Sequence, residues 1–196
     1  MRQFKTDQRI GKINQVVTQR QQSLRIVMEN IHDPHNVSAI YRTCDSVGVP
    51  KVSLLYNHEE FPKISKVSSS SANKWIETEK FSDTSACYAN LRKNGFQIYA
   101  SLLSEEAVDL YSIDMTKKIA LVFGNEHRGV SEEAAKMADE VFFIPMYGMI
   151  QSLNVSVATA VTLYEAQRQR KLIKMYEQSE LDNIELEKLI DDWCDK

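Results

Sequence analysis

Long hydrophobic runs, glycine and proline are all scarce in this chain of 196 residues. No apolar segment approaches the roughly 18 residues that a membrane-spanning helix needs. The first 17 residues also lack the continuous apolar stretch of a secretion signal. Only six glycines and four prolines are present, which argues against a linker-rich or disordered chain. Hydrophobic residues make up 43% of the chain and charged residues 26%, so we expect a cytoplasmic protein with one main domain.

Cysteine and histidine are too few and too scattered for a disulfide framework or a metal site. The three cysteines, Cys44, Cys87 and Cys194, form no CxxC pair, and an odd number suits a reducing compartment. The four histidines do not show the spacing of a zinc-binding HExxH helix. We therefore predict no bound metal.

Three widespread motifs of α/β proteins are also missing. No GxGxxG follows the first predicted strand, which disfavours a dinucleotide-binding Rossmann site. No GxxxxGK[ST] is present, which argues against a P-loop nucleoside triphosphatase, and no GxSxG supplies the nucleophile elbow of an α/β-hydrolase. The absence of these motifs weakens the case for each of these common chemistries.

Charge is distributed unevenly along the chain, although the net charge is only −3. Residues 1–25 carry six basic side chains against one acid, and a second basic run spans 168–174, whereas the tail from Glu177 carries eight acids and two lysines. Basic segments of this kind are either solvated helix faces or contacts to a polyanion such as RNA. The side chains that we assign to RNA contact are Arg9, Lys12, Arg20, Arg168 and Lys171.

Strand-like apolar runs alternate with segments of helical periodicity, which predicts a mostly parallel sheet with helices on both faces. A long polar segment, 57–73, contains four consecutive serines and reads as a loop. The predicted strands are 24–31, 52–56, 75–81, 96–103, 119–123 and 141–145; the predicted helices are 6–22, a helix from Pro34 closed by Gly48, 84–94, 131–138, a long helix ending near Arg170, and 181–193.

The stretch from Val141 to Arg170 carries the clearest sign of a binding site. An apolar strand is followed by a short loop with Gly148, and then by Ser152, Leu153 and Asn154 at the start of a long helix. Serine and asparagine cap helices, and a helix start after a strand favours nucleotides and anions. Ligands of parallel sheets bind at the carboxyl ends of the strands, where the other polar clusters also fall.

Three segments together resemble the SpoU branch of the SPOUT-class RNA methyltransferases. They are NVSAIYRT at 36–43, LVFGNEHRGV at 121–130, and IPM at 144–146 continuing to SLNVSVA at 152–158. The likeness spans about residues 24–170 in the right order, and it is strongest to the tRNA guanosine-18 2′-O-methyltransferases. It implies S-adenosylmethionine-dependent methylation of the ribose 2′-hydroxyl of guanosine 18 in the D-loop of tRNA.

The resemblance also implies an architecture that periodicity alone does not reveal. It implies a deep trefoil knot near residues 119–165, a kind of threading that folds rarely show. It further implies a homodimer with sites near the subunit interface. We expect a basic helical extension at 1–22, the methyltransferase domain at 23–170 and a helical tail at 171–196.

The resemblance assigns roles to individual residues. Arg42 matches the motif arginine held to take part in deprotonating the ribose hydroxyl. Because a guanidinium stays protonated, Arg42 either stabilises a developing alkoxide or becomes a base only beside an RNA phosphate. Asn36 would act from the turn before the second helix. The assigned catalytic set is Arg42, Asn36, Glu126 and Asn154; the assigned methyl-donor pocket is Ser101, Leu102, Gly124, Ile144, Met146, Ser152 and Leu153.

Two other functions remain open at this stage. One keeps the enzyme but moves the target to ribosomal RNA or to another tRNA position; the short segment before the first strand argues mildly against it, since ribosomal RNA enzymes of this branch often carry an extra N-terminal domain. The other is a non-catalytic RNA-binding dimer, against which the complete set of four assigned catalytic residues speaks.

Overall fold

The computed structural model describes residues 5–62 and 72–196. Its strands are β1 (Leu24–Glu29), β2 (Lys51–Leu55), β3 (Glu77–Phe81), β4 (Gln97–Ser101), β5 (Val108–Asp109), β6 (Ile119–Phe123) and β7 (Glu140–Phe143). Its helices are α1 (Asp7–Thr18), α2 (Pro34–Ser46), α3 (Thr84–Lys93), α4 (Glu132–Met137), α5 (Val155–Leu172) and α6 (Asn183–Asp195). Part of the predicted loop, including its serine run, lies outside the described residues.

All seven strands form one parallel sheet in the order β3-β2-β1-β6-β4-β7-β5. The central strand β6 is apolar and buried throughout, and β1 is apolar except for Arg25 and Glu29, because helices cover both faces of the sheet. Side chains from α2 and α5 pack on one face, with Ile26 and Met28 of β1. Side chains from α3 and α4 pack on the other, with Val27. The predicted parallel sheet with helices on both faces is confirmed.

Capping residues set most helix starts. Asp33, Asp83 and Ser131 each accept a hydrogen bond from a first-turn backbone N–H, so α2, α3 and α4 begin where the sequence indicated. Gly48 follows the end of α2 with a φ of +84°, and a Cβ there would lie 2.8 Å from the carbonyl oxygen of Gln19. Both the backbone conformation and this close approach require glycine.

The structure departs from the sequence prediction at one small strand and at the ends of several elements. A two-residue strand, β5, joins the edge of the sheet beside β7, where no strand was predicted. It is too short to show a period of two, so no hydrophobic pattern marked it. The first helix ends at Thr18 rather than Gln22, because the chain turns there toward β1.

The two chain termini pack against each other through α1 and α6. Ile13 and Val17 of α1 are buried with Ile190 and Trp193 of α6. The acidic tail is therefore an ordered part of the fold, and its apolar stripe covers the inner face of the basic first helix.

Two buried arginines lie at the end of the sheet where the strands begin. Arg170 is fully buried and donates to the backbone oxygens of Met115, Lys117 and Ser23, just before β6 and β1. Arg20 is 1% exposed and donates to the Val49 oxygen, before β2, and to Asp45. The assignment of Arg20 to an RNA-binding surface is therefore wrong, because its side chain is buried. The sequence alone does not distinguish a basic residue that follows a helix into the core from one on the surface.

Candidate active site

A cavity of about 550 Å³ lies at the carboxyl ends of β4, β6 and β7. This volume is within the range of small-molecule sites in proteins. The strands end at Ser101, Phe123 and Phe143, and the loops that follow them form the walls. All seven residues assigned to the methyl-donor pocket line it: Ser101, Leu102, Gly124, Ile144, Met146, Ser152 and Leu153.

Three of the four assigned catalytic residues form one hydrogen-bonded cluster, Asn36–Glu126–Asn154, beside this cavity. The Asn36 side-chain amide donates to Glu126 Oε1 at 2.8 Å, and the Asn154 amide donates to Asn36 Oδ1 at 3.1 Å. Residues separated by 90 and 118 positions in the chain thus meet at one point. Glu126 and Asn154 also line the cavity, so the cluster forms part of its wall.

The backbone fixes both ends of this cluster. Asn154 caps α5, since its Oδ1 accepts from the Ser156 N–H at 2.9 Å while its amide remains directed at Asn36. Asn36 lies in the first turn of α2, after the cap Asp33, and not in the preceding turn as predicted. The side chain of Asn154 therefore has two structural roles, because it starts a helix and holds Asn36 in place.

Glu126 serves as an acceptor for the segment that leads into α2. Its oxygens accept from the backbone N–H groups of His32 and Asp33, at 2.9 and 3.1 Å, as well as from Asn36. Partial burial raises the pKa of Glu126, but these hydrogen bonds outweigh it, so its pKa lies below that of an ordinary glutamate. The carboxylate is thus ionised near neutral pH, and its bonds position Asn36.

The loop from Gly124 to Val130 is folded tightly on itself. A Cβ at Gly124 would lie 2.2 Å from backbone atoms of Gly129 and Val130, so only glycine fits. Asn125 is 7% exposed, donates to the Asn30 oxygen and accepts from the N–H groups of His127 and Arg128. The chain's own backbone fills the space beside Gly124 and thereby fixes Glu126 at the cavity wall.

Arg42 is not brought to the cavity within a single chain. It is exposed on α2, and it is absent from the cavity lining. It lies six residues beyond Asn36, about 9 Å along the helix axis. Any role for this guanidinium at the cavity therefore requires a movement or a second subunit.

The remaining residues assigned to RNA lie on the surface. Arg9 and Lys12 are exposed on α1, and Lys171 is exposed at the end of α5. Arg168 is also exposed, although its guanidinium donates twice to Glu165 at 2.8 Å. These four side chains can reach a polyanion, in contrast to Arg20.

Sequence reasoning missed the contact between Arg128 and Glu59 at the rim of the cavity, with a distance of 2.7 Å. Sixty-nine residues separate the two, and nothing in their local patterns links them. Only the position of Arg128 directly after Glu126 and His127, inside a recognised motif, could have drawn attention to it.

A model of the SpoU rRNA Methylase family matches residues 23–164. This chain belongs to that family. The tRNA (guanosine(18)-2'-O)-methyltransferase of Thermus thermophilus is 43% identical to this SpoU methylase over 192 residues, 98% of each chain. The crystal structure of an Aquifex aeolicus TrmH/SpoU tRNA modifying enzyme is 41% identical, with a TM-score of 0.89 over 95% of each chain.

A further solved structure is the AdoMet-bound rRNA methyltransferase of Sinorhizobium meliloti. It is 27% identical, has a TM-score of 0.65, and is matched over 80% of this chain and 59% of its own. SpoU methylases use S-adenosylmethionine, and the cavity of this SpoU methylase fits that molecule. Its wall combines apolar side chains such as Ile144 and Leu153 with the hydroxyl of Ser101, as a ligand with a base, a sugar and a charged sulfonium requires.

Two kinds of feature are absent from the residues that the structure describes. No group of three or more histidine, cysteine, aspartate or glutamate side chains within 5–62 and 72–196 could hold a metal ion. None of the helices in these ranges has the length and apolar character required to cross a membrane.

Proposed function

We propose that this protein is an S-adenosylmethionine-dependent tRNA (guanosine-18-2′-O)-methyltransferase. The observation that carries the proposal is the Asn36–Glu126–Asn154 cluster, which borders a cavity fit for the methyl donor. Two relatives over 40% identical, matched along nearly their whole length, are named as tRNA guanosine-18 methyltransferases or tRNA modifying enzymes. The target nucleoside is taken from those names.

The reaction requires accurate placement more than strong acid or base chemistry. S-adenosylmethionine supplies a methyl group on a sulfonium, which is attacked in line by a nucleophilic oxygen. Holding the ribose oxygen at the correct distance and direction provides much of the rate acceleration. The loop at 124–130, which packs closely on its own backbone, and the cap of α5, which is hydrogen-bonded to Asn36, meet this requirement.

Glu126, Asn36 and Asn154 act as positioning residues. Glu126 accepts three hydrogen bonds from the start of α2, which leaves it little capacity to accept a proton from substrate. Asn36 links this carboxylate to Asn154. Together they tie α2, which carries Arg42, to the loop and the helix that border the cavity.

Arg42 acts at the active site formed in a homodimer. It is exposed, and no ion pair or hydrogen bond in the described part of the chain occupies its guanidinium. A partner subunit that covers the exposed Tyr164 and Val157 of α5 would also approach α2, because α2 packs against α5. Arg42 then either stabilises the developing alkoxide or becomes a base beside an RNA phosphate.

The wider surface and chain organisation follow from the same proposal. Arg9, Lys12, Arg168 and Lys171 contact the tRNA backbone, which makes binding sensitive to salt. The enzyme works in the cytoplasm, where its substrate is found. Residues 23–170 form the methyltransferase domain, with a deep trefoil knot near 119–165.

A methyl-transfer assay tests the proposed function. Purified protein is given labelled S-adenosylmethionine and either unmodified tRNA transcript or ribosomal RNA. We expect label only in tRNA, and mass spectrometry should place it on the ribose of guanosine 18. A tRNA in which guanosine 18 carries a 2′-deoxyribose is the matched control and should accept no methyl group.

Methylation of ribosomal RNA is the second candidate function. It is favoured by one observation, the relation to the rRNA methyltransferase of Sinorhizobium meliloti. Label in ribosomal RNA alone would select it, and label at another tRNA position would correct the target. A protein that neither binds S-adenosylmethionine in calorimetry nor transfers a methyl group would instead be a non-catalytic RNA-binding dimer.

A further inference from the structure

Arg128 lies at the rim of the cavity, where its guanidinium forms one exposed ion pair. Its side chain is 59% exposed, and its guanidinium contacts the Glu59 carboxylate at 2.7 Å. Glu59 also lies 3.4 Å from the ring of His32, so one carboxylate faces two exposed basic groups. These contacts lower the pKa of Glu59, the hydrogen bonds from His32 and Arg128 being the main causes.

The backbones that carry this pair are fixed, whereas the side-chain tips are not. Asn30, with a φ of 48°, accepts the N–H groups of Asn57, His58 and Glu59 on its side-chain oxygen. The backbone oxygen of Asn30 accepts from Asn125, whose side chain in turn accepts the Arg128 N–H. One residue thus sets the positions from which both charged side chains extend.

The chemistry of the substrate determines which group would compete for Arg128. A ribose 2′-hydroxyl is always next to the 3′-phosphodiester of the same nucleotide, whatever the base. An RNA that places this hydroxyl at the cavity therefore brings a phosphate to the cavity rim. A guanidinium binds phosphate through two parallel hydrogen bonds, and an exposed ion pair offers little resistance to exchange.

We propose that Arg128 is a substrate-binding residue for the backbone phosphate beside the methylated ribose, and that Glu59 holds it until RNA arrives. The proposal rests on the proposed RNA ribose methylation and extends it to a residue pair outside the Asn36–Glu126–Asn154 cluster. Arg128 exchanges one anion for another, while the loop that carries Glu126 stays in place.

The test compares Arg128→Gln with Arg92→Gln as a matched control. Arg92 forms a similar exposed ion pair with Asp139, at 2.9 Å, but at the opposite end of the sheet, where β4 and β7 begin. We expect Arg128→Gln to raise the KM for tRNA about tenfold, as loss of a charge-assisted hydrogen bond predicts. The slope of log affinity against log salt should fall by about one phosphate contact. Affinity for S-adenosylmethionine in calorimetry should stay within about twofold.

Two further variants separate this role from a structural one. Arg128→Lys should have the salt slope of the wild type but a KM between those of the wild type and Arg128→Gln. Lysine keeps the positive charge but lacks the two parallel N–H donors of the guanidinium. Glu59→Gln should lower the KM for tRNA severalfold, and the double variant should match Arg128→Gln alone, since the Glu59 effect requires Arg128. Melting temperatures within a few degrees of wild type would show that all variants fold.

Three outcomes would overturn the proposal: RNA affinity and salt slope in Arg128→Gln equal to those of Arg92→Gln, donor affinity lost while RNA affinity remains, or a Glu59 effect that persists without Arg128. Failure of the proposed function is distinguishable, because it appears in the wild type. If the wild-type protein methylates ribosomal RNA rather than tRNA, the same comparison is made on that RNA. A wild-type protein that binds no RNA would end both proposals.

Discussion

Polar side chains cluster at both ends of the strands of the sheet, but their hydrogen bonds serve different purposes at the two ends. At the end where the strands begin, the guanidinium of Arg170 donates hydrogen bonds to backbone oxygens and to the side chains of Gln21 and Ser23. No part of Arg170 is exposed. At the end where the strands finish, Asn36, Glu126 and Asn154 form hydrogen bonds with one another at the wall of a cavity. Polar groups saturated by backbone stabilise the fold, whereas polar groups held beside open space can act on a ligand.

The largest effect that we expect is on catalysis by Arg42→Ala. The turnover number should fall about a thousandfold, the magnitude typical for loss of one group that stabilises a developing oxyanion. Stability and S-adenosylmethionine affinity should not change, because Arg42 is exposed and does not line the cavity of its own chain. Single-turnover kinetics and calorimetry measure the two properties. Full turnover in this variant would contradict the role of Arg42.

Mixed dimers sharpen this result. Leu153→Arg should block the donor cavity, and by itself it should be inactive. If Arg42 serves the cavity of a partner, mixing the inactive Arg42→Ala and Leu153→Arg proteins should restore activity in the mixed dimer. No recovery after verified subunit exchange would show that Arg42 acts within its own chain.

The second largest effect that we expect is on the free energy of unfolding, from a change at the end of the sheet where the strands begin. Arg170→Met leaves buried backbone oxygens of Met115 and Lys117 without donors, so the free energy of unfolding should fall by about 3 kcal/mol or more. Lys171→Met, at the next position of the same helix but exposed, should cost less than about 0.5 kcal/mol. Urea unfolding measures the free energy of unfolding of both variants. An equal decrease in the two would refute the structural role of Arg170 at the end of the sheet where the strands begin.

A smaller effect should follow from Glu126→Gln. The carboxamide can accept from the start of α2 through only one oxygen, so Asn36 is held less firmly. We expect kcat to fall about tenfold to a hundredfold, as for other positioning groups whose loss misplaces substrate. Because Glu126 is not the proton acceptor in this account, the pH at which activity is half-maximal should not shift. A shift together with complete loss of turnover would indicate that Glu126 is the base.

The smallest effect is on the pH dependence of stability. The pKa of Glu126 is lowered in the folded protein, so its bonds contribute stability above the pKa of an unfolded glutamate, about 4.3, and lose it as pH falls through the folded value. Wild type should therefore be more stable than Glu126→Gln at pH 6, and the difference should shrink below about pH 4.3. A difference that grows on acidification would mean that the folded pKa is raised.

Much of the scaffold could be predicted from sequence, for physical reasons that differ between elements. Strand β6 was predicted to the residue, since five consecutive apolar residues buried on both faces leave little freedom. The cavity residues were found through a family resemblance in three motifs, and the cluster joins residues from each of them. The Arg128–Glu59 contact and the burial of Arg20 were not predictable, because long-range packing decides both and no local pattern records it.

The central claim is that the cavity beside the Asn36–Glu126–Asn154 cluster is the site of methyl transfer. A crystal structure of the dimer with S-adenosylmethionine tests it most directly. The account predicts the donor between Ile144 and Leu153, with its methyl group facing open space that the cluster and an Arg42 side chain border. A donor bound elsewhere, or every Arg42 of the dimer far from the methyl group, would contradict it.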